Sequence, residues 1–370
     1  MLLQIGIIGL GQSGKTTVFN ALCFANAKVG DFSSSKTPNI AVIKVPDKRL
    51  DRLAEIFASG KVTYPEIEFI DIAGMSSSRH GISGASSDKF FKEASYVHAI
   101  RMAQALLIVV RCFEDDNIPH PLGSVDPARD IIELESELII LDLIQIEKRM
   151  EKLKHLLKVR PSSEYKSEMV LMERMKAHLE EEKPLRELEF SKETKNFLAG
   201  FGFLSIKKAL YLLNLGEKQI AQADQLEKRY FPQISDNMAI ASLCGKIEME
   251  IAAFDESERG EFIKELGIDQ QASVKVIKKS FELLGLISFL TGNEKEVHAW
   301  AIPKGLTALE AAGEVHSDIQ RGFIRAEVID FEQLDAAGDW ATAKKQGNVR
   351  LEGKDYIVRD GDVILYRFNV

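Results

Sequence analysis

Short apolar runs rich in β-branched residues recur along the chain, and segments with helical spacing separate them. The runs that we interpret as strands are 2–8, 67–72, 105–110, 209–213 and 238–243. Strands that alternate with helices are typical of a parallel sheet that is covered by helices on both faces. The pattern therefore predicts an α/β domain.

A long interruption separates the third predicted strand from the fourth, whereas ordinary connections in such folds have about 2 to 6 residues. Within it, apolar residues repeat at helical spacing and leave charges on the other faces, and a second such series follows before Pro184. The first series is Ile139, Leu143, Ile146, Met150, Leu153 and Leu157, and the second is Met172, Met175 and Leu179. We predict an inserted helical coiled-coil arm. Whether it packs only on itself or contacts a macromolecular partner is left open.

From about residue 287 the pattern changes to short strands and turns. The predicted strands are 324–331, 350–352, 356–358 and 363–368, and residues 353–355 and 360–362 supply turn sequences between them. Glycine and aspartate are frequent in such turns. This part is expected to form a small separate α+β domain.

The first predicted strand runs directly into the sequence GLGQSGKT (9–16), which fits the phosphate-loop pattern. In this context the glycines allow backbone N–H groups to curl around phosphates at a helix N-terminus. Lys15 is expected to reach the β- and γ-phosphates as a catalytic group, and Thr16 to ligate Mg²⁺. The residues expected to bind nucleotide here are Gly9, Gly11, Gln12, Ser13, Gly14, Lys15, Thr16 and Thr17. The alternative is a plain glycine turn.

A second short motif, Asp71-Ile72-Ala73-Gly74, follows the second predicted strand. Asp71 is expected to hold Mg²⁺ through water, and Gly74 to sense the γ-phosphate. Alone this motif is also a common turn, but its distance behind a phosphate loop favours the metal site.

Several segments resemble the YchF (Obg-like ATPase) family over nearly the whole chain. They are VPDKRL (45–50), FIDIAG (69–74), RCFEDDNI (111–118), GSVDP (123–127), FIRAEV (323–328), RLEGKDYIV (350–358) and FNV (368–370). The resemblance implies a P-loop NTPase core, an inserted helical arm and a C-terminal TGS domain of β-grasp shape. The implied division is 1–127 and 205–286 for the two parts of the NTPase domain, 128–204 for the arm, and 287–370 for the TGS-like domain.

The resemblance also bears on the choice of base. GTPases use Asn-Lys-x-Asp, whose aspartate accepts from guanine, and adenine has no such donors to offer it. This chain has Asn214-Leu215-Gly216-Glu217, the form that the resemblance associates with ATP. Asn214 is expected to bond the purine edge, with Leu215 and Glu217 beside it, and Cys244 and Gly245 in the following base-edge loop. A strand end without base contact is the alternative.

The switch segments depart from known patterns. Met75 occupies the position where Ras-like enzymes place the glutamine that orients the attacking water, so we expect slow turnover. Arg79 and His80 are alternative polar groups near it. By resemblance Ser35, or Thr37 close by, ligates Mg²⁺ in switch I. In switch II, residues 76–85 lose the family's glycine-rich pattern.

The phosphate loop itself also differs from the family at one position. Gln12 stands where the family has the asparagine that helps to bind potassium in related enzymes. The resemblance therefore does not carry potassium stimulation over to this chain.

Net charge and composition limit the kinds of binding partner and the cellular location that we expect. The formal charge of −8 argues against broad nucleic-acid affinity, and we expect no specific DNA binding. We expect no membrane span, because no apolar run approaches about 18 residues, and no leader, because residues 1–8 run directly into the glycine loop without a basic region or cleavage site. A cytoplasmic location is therefore expected. Three widely spaced cysteines, Cys23, Cys112 and Cys244, are expected to be buried thiols rather than disulfides, with redox sensing as an alternative.

Three functions follow from these patterns. The leading one is Mg²⁺-dependent, slow ATP hydrolysis that switches the chain between states, with the ribosome or a ribosomal subunit as the partner that the resemblance implies. The second is a nucleotide-gated binding module with little turnover. The third is a GTPase, which requires that Glu217 reach guanine.

Overall fold

The computed structural model describes residues 3–29, 39–71, 94–231, 235–254 and 271–369. Its strands are β1 (Gln4–Ile8), β2 (Ala27–Val29), β3 (Asn39–Lys44), β4 (Val62–Thr63), β5 (Glu66–Asp71), β6 (Ala105–Arg111), β7 (Lys208–Asn214), β8 (Met238–Leu243), β9 (Leu286–Gly292), β10 (Val297–Pro303), β11 (Phe323–Asp330), β12 (Arg350–Glu352) and β13 (Asp362–Phe368).

The α-helices within the same ranges are α1 (Lys15–Asn26), α2 (Lys48–Phe57), α3 (Ala94–Met102), α4 (Pro127–Val159), α5 (Ser163–Glu180), α6 (Lys192–Ala199), α7 (Ala223–Tyr230), α8 (Gly245–Ala253), α9 (Ala272–Leu283), α10 (Ala308–Val315), α11 (Ser317–Arg321), α12 (Phe331–Ala337) and α13 (Trp340–Lys345). Short 3₁₀ helices lie at Leu185–Glu187 and Glu217–Gln222. None of these helices combines the length and the apolar character that crossing a bilayer requires.

The first sheet has the order β2-β3-β5-β1-β6-β7-β8. The pairs β1–β5, β1–β6, β6–β7 and β7–β8 are all parallel, which confirms the predicted parallel sheet. Every residue of β6 is buried, as expected for a central strand with both faces covered. Because parallel strands end at the same edge, the carboxyl ends of β1, β5, β7 and β8 lie along one border of the sheet.

The inserted helices are present as predicted. Helix α4 begins with Pro127, and the side chain of Asp126 accepts a hydrogen bond from the backbone N–H of Arg129. This is a favourable start for a helix, because proline has no N–H to leave unpaired and aspartate caps the first turn. The predicted seam residues of α4 and α5 share one apolar core, which includes Ile146 and Met172.

The second sheet has the order β12-β11-β13-β9-β10-β4 and carries helices, which confirms the predicted α+β class of the C-terminal part. The predicted strand 356–358 is wrong. Ile357 forms only an isolated bridge with Thr307, flanked by hydrogen bonds from Val358 N to Leu306 O and from Ala308 N to Tyr356 O. The pairing cannot extend because Thr307 caps α10, which begins at the next residue.

The chain divides into two compact units, one formed by residues 3–41 and 68–276, the other by 42–67 and 277–370. Segment 42–67 was expected in the N-terminal NTPase part. It belongs to the second unit because Leu50 and Leu53 of α2 pack into a core with Leu290 and Val297. The finer division into four segments stays a prediction.

Candidate functional site

The loop that begins at Gly9 joins β1 to α1, the strand-loop-helix context expected of a phosphate loop. A Cβ atom at Gly9 would lie well under 3.0 Å from the carbonyl oxygen of Val109 in β6. One at Gly14 would lie as close to Nδ2 of Asn214, and Gly14 has a φ of +90°. Both positions therefore require glycine, since a side chain would collide with the adjoining strands or their ends.

The other loop residues have different surroundings. Gln12 is exposed and has a φ of +60°, whereas Ser13 is buried. A Cβ atom at Gly11 would meet open space. Thr17 lies in the first turn of α1. The structure thus brings all the predicted phosphate-loop residues together, and their contact with nucleotide stays a prediction.

Lys15 is the first residue of α1 and is 6% exposed. Its Nζ donates to the carbonyl oxygens of Gly9, at 2.9 Å, and Leu10, at 2.7 Å. Burial lowers the pKa of Lys15 to about 8, and the charge of Asp71 opposes this shift. The loop therefore holds a cation that has lost much of its hydration, a state that favours an anionic ligand.

Thr16 and Asp71 meet although 55 residues separate them in sequence. The Thr16 hydroxyl donates to Oδ2 of Asp71 at 3.0 Å, and Asp71 at the end of β5 is fully buried. Hydroxyl and carboxylate oxygens are the ligands that Mg²⁺ prefers, and Mg²⁺ usually keeps several waters instead of filling a protein cage. The pair fits such an ion. No group of three or more His, Cys, Asp and Glu side chains suited to a metal occurs in the described part of the chain.

Asn214 ends β7 and connects three segments of the site. Its Nδ2 donates to the carbonyl oxygen of Ser13 at 3.0 Å, and its Oδ1 accepts from the backbone N–H of Gly245 at 3.1 Å. The side chain is thus a link between the phosphate loop and the start of α8. The expected bond to the purine edge would use the second hydrogen of Nδ2 or the second lone pair of Oδ1, because one of each is already engaged.

A cavity of about 1270 Å³ opens beside this junction. Residues of both the phosphate loop and the predicted base loop line it, together with a stretch that follows β6. Its wall includes Thr17, Phe113, Leu215, Glu217, Cys244 and Lys246. The volume exceeds the usual upper range of about 1000 Å³ for small-molecule pockets, so a nucleotide can be accommodated.

Phe113 and Arg111 were not among the predicted site residues. The Arg111 guanidinium lies 4.4 Å from the centre of the Phe113 ring. Arg111 also donates to the carbonyl oxygens of Phe113, at 3.1 Å, and Ile118, at 2.9 Å. It therefore fixes the turn that presents Phe113 to the cavity. The sequence signal that could have found them is their place directly after a central strand, at the edge where parallel sheets bind ligands.

Glu217 is exposed and pairs with Lys246, whose Nζ lies 2.6 Å from its Oε1. Lys246 follows Gly245 in α8, so the two predicted base loops are joined by this ion pair as well as by Asn214. The neighbouring Cys244 is buried, and burial raises the pKa of its thiol. Leu215 is buried too.

The remaining predicted site residues, Ser35, Gly74 and Met75, lie outside the described residues, as do Thr37, Arg79 and His80. Their predicted roles in metal binding, phosphate sensing and hydrolysis therefore stay predictions.

Cys112 is expected to resist alkylation in the folded protein. Burial raises the pKa of its thiol to about 12, with a further contribution from Asp130. At pH 8 about one thiol in 10⁴ would then be the reactive thiolate. Iodoacetamide labelling read by mass spectrometry should show slow modification of the native chain and fast modification in guanidinium. Fast labelling of native Cys112 would contradict its assignment as a buried, unreactive thiol and would favour the alternative of redox sensing.

Comparison with known proteins gives concordant matches. Residues 4–160 match the family model described as 50S ribosome-binding GTPase, and residues 286–369 match YchF-GTPase_C, described as a protein of unknown function. "Ribosome-binding ATPase YchF" of Bacillus subtilis (strain 168) is 39% identical over 100% of both chains. The protein of the same name from Escherichia coli O157:H7 is 37% identical over 99% of both.

A solved structure is similar over almost the same extent. It is the Schizosaccharomyces pombe YchF GTPase, which aligns with a TM-score of 0.83 at 26% identity. The alignment covers 99% of this chain and 97% of that one. The names of these relatives differ in one respect, since the bacterial proteins are called ATPases and the yeast protein a GTPase.

Proposed function

The chain belongs to the YchF family, and from this premise we propose that it binds Mg²⁺-ATP in the cavity beside Gly14 and hydrolyses it slowly. The observation that carries the proposal is the position of Asn214, which ties the phosphate loop to the base loops at the wall of one cavity. A nucleotide needs these two recognition elements at a fixed separation. Asn214 supplies that connection through its two amide atoms.

The phosphate end of the ligand would be held by the backbone of the loop and by Lys15. The Lys15 amine now donates to two carbonyl groups, and its pKa is lowered by burial. A triphosphate would provide the countercharge that this buried cation has only in part from Asp71. Charge-assisted bonds of this kind are among the stronger ones that proteins form.

Thr16 and Asp71 would hold the magnesium ion, the first directly and the second through water. When bound, Mg²⁺ neutralises charge that develops on the β- and γ-phosphates. The hydrogen bond between the two side chains keeps both oxygens at one place before the ion arrives.

At the base end, Phe113 offers an aromatic face and Leu215 an apolar side chain to a purine. Base-aromatic stacking does not distinguish adenine from guanine, so selectivity must come from polar groups. Glu217 is held by Lys246 through Oε1, so turning its carboxylate toward guanine would compete with this ion pair, whereas adenine makes no such demand. This difference favours ATP, although an exposed ion pair costs only about 1 kcal/mol or less to break.

A competition titration tests the base assignment. With nucleotide-free protein and a fluorescent nucleotide as the probe, Mg²⁺-ATP is expected to displace the probe at about tenfold lower concentration than Mg²⁺-GTP. Phe113→Ala should weaken both nucleotides by about tenfold, because it removes the stacking surface. Phe197→Ala, at an exposed phenylalanine of α6, is the matched control and should change neither.

The outcomes separate the candidates. Stronger displacement by GTP would replace the ATPase proposal by a GTPase, in agreement with the name of the yeast relative. If neither nucleotide displaced the probe, the proposal that this cavity binds a nucleotide would be wrong. Unchanged affinity in Phe113→Ala would place the base elsewhere in the cavity.

Slow hydrolysis and a ribosomal partner are the remaining parts of the proposal. Met75 has no group that could orient water, and the bacterial relatives are named ribosome-binding ATPases. Single-turnover measurements with and without ribosomes would test both. Hydrolysis that ribosomes accelerate supports a nucleotide-driven switch, whereas tight binding without turnover in either condition supports a nucleotide-gated binding module.

A further inference from the structure

A second, smaller cavity of about 270 Å³ lies where the inserted segment returns to β7. Its wall combines apolar side chains, among them Leu198 and Phe203, with a set of basic ones. The basic residues are Arg101, Arg186, Lys195, Lys207 and Lys208. No aspartate or glutamate is among the described residues that line it. A pocket with this lining would suit an anion that also has an apolar part.

Arg186 is almost fully buried at this cavity, with 1% of its side chain exposed. Its Nη1 pairs with Glu135 at 2.7 Å and its Nε donates to the carbonyl oxygen of Lys207 at 2.8 Å. Its Nη2 is buried and has no hydrogen-bond partner among the residues that the structure describes. A buried guanidinium nitrogen without a partner is costly unless another group or a ligand satisfies it.

Lys207 adds a second cation with spare hydrogen-bonding capacity. Its Nζ donates to the carbonyl oxygens of Arg101, at 2.9 Å, and Ala103. An ammonium group has three N–H donors, so one remains for a ligand. Burial lowers the pKa of Lys207 to about 8, and the nearby Asp142 only partly opposes this.

Lys208 and Lys195 repel each other at the same cavity. The pKa of Lys208 is lowered first by burial and next by the charge of Lys195, while Asp236 opposes the shift. Neither lysine has an ion pair within the described ranges. Two like charges held together in this way raise the free energy of the folded chain, and a bound anion would offset their repulsion.

We propose that this cavity binds a phosphate monoester with a compact apolar substituent, at a site separate from the nucleotide cavity and independent of the proposed function. The phosphoryl group would lie among Lys195, Lys207 and Lys208, with Arg186 beneath it. The apolar substituent would contact the Leu198 and Phe203 side of the wall.

Charge and size select this class of ligand. A phosphate monoester carries a charge of about −1.5 to −2 at neutral pH, whereas a carboxylate carries one. Glu135 already compensates part of the Arg186 charge, and three lysines remain without a carboxylate partner among the described residues. The volume lies just below the range of about 300 to 1000 Å³ that drug-sized ligands need, so it suits a small monoester and excludes a whole nucleotide.

Calorimetric titration with phenyl phosphate, in the presence of excess Mg²⁺ and a non-hydrolysable ATP analogue, tests the proposal on the full chain. Saturable binding of one equivalent is expected, with weaker binding of inorganic phosphate and of phenylacetate. The double variant Lys195→Gln, Lys208→Gln should weaken phenyl phosphate at least about tenfold, since it removes two charge-assisted contacts.

Lys192→Gln is the matched control. Lys192 lies on α6, as Lys195 does, but it is exposed and does not line the cavity. It should bind phenyl phosphate as the original chain does. The double variant should also keep its melting temperature, because removing two mutually repelling charges does not destabilise the fold. Absence of binding to the original chain, or equal binding by the double variant, would overturn the proposal. Equal affinity for phenylacetate would overturn the choice of phosphate.

Discussion

Replacing Lys15 with alanine is expected to lower the affinity for Mg²⁺-ATP by about 10- to 100-fold, since the one N–H of Nζ that is not engaged by the loop carbonyls would make a charge-assisted hydrogen bond to phosphate worth about 1.5 to 3 kcal/mol. Stability should change much less. The variant loses the bonds from Nζ to the carbonyl oxygens of Gly9 and Leu10, but it also removes a cation whose burial is unfavourable, as its lowered pKa shows. Probe-displacement titration and a thermal unfolding scan measure the two quantities.

The control for this variant is Lys48→Ala. Lys48 is the first residue of α2, as Lys15 is of α1, but it is exposed. It should keep full affinity. If Lys15→Ala bound ATP as tightly as the original chain, the loop that begins at Gly9 would not be the phosphate site.

Gly14→Ala is expected to damage both stability and nucleotide binding. The left-handed conformation at Gly14 costs an alanine about 1 to 2 kcal/mol. Its Cβ would also displace the Asn214 amide, which makes two hydrogen bonds and is 4% exposed. With about 1 kcal/mol for each bond, the total loss of unfolding free energy should be about 3 to 4 kcal/mol. Urea unfolding and probe displacement measure the effects.

Gly11→Ala is the control within the same loop, because nothing lies within 4 Å of the Cβ position there. Its free energy of unfolding should be nearly that of the original chain. A double-mutant cycle with Asn214→Ala adds a sharper test, since that variant removes the side chain that the new Cβ would meet. The unfolding free energy that the double variant loses should be smaller than the sum of the losses in the two single variants. Strict additivity would show that Gly14 and Asn214 do not interact as the structure indicates.

The parts of this protein that the sequence determined are those set by local pattern. The strands β1, β5, β6, β7 and β8 were recognisable because buried parallel strands are continuous apolar runs. The two arm helices were recognisable from the spacing of their apolar residues and from Pro184, which follows α5. The phosphate loop was recognisable because its glycines, Lys15 and Thr16 form one contiguous motif directly after β1.

The tertiary structure decided what depends on residues far apart in the chain. Sequence pattern could not assign segment 42–67 to the second unit, because a helix with an apolar face does not specify which core receives that face. Nor could it show that 356–358 stops at one bridge, since the limit is the helix cap at Thr307.

In the candidate nucleotide site, too, some features were set by local sequence and others by the tertiary structure. Its residue types along the strand ends could be read from the sequence, and so could the chemistry that phosphate and Mg²⁺ require. Only the fold shows that the amide of Asn214 is used as a link, that Lys246 engages Glu217, and that Arg111 supports Phe113. The sequence thus determined the strands, the arm and the phosphate loop, because backbone conformation and apolar periodicity are local. Partner choice among polar side chains was decided by the tertiary structure, because it depends on distances that only packing fixes.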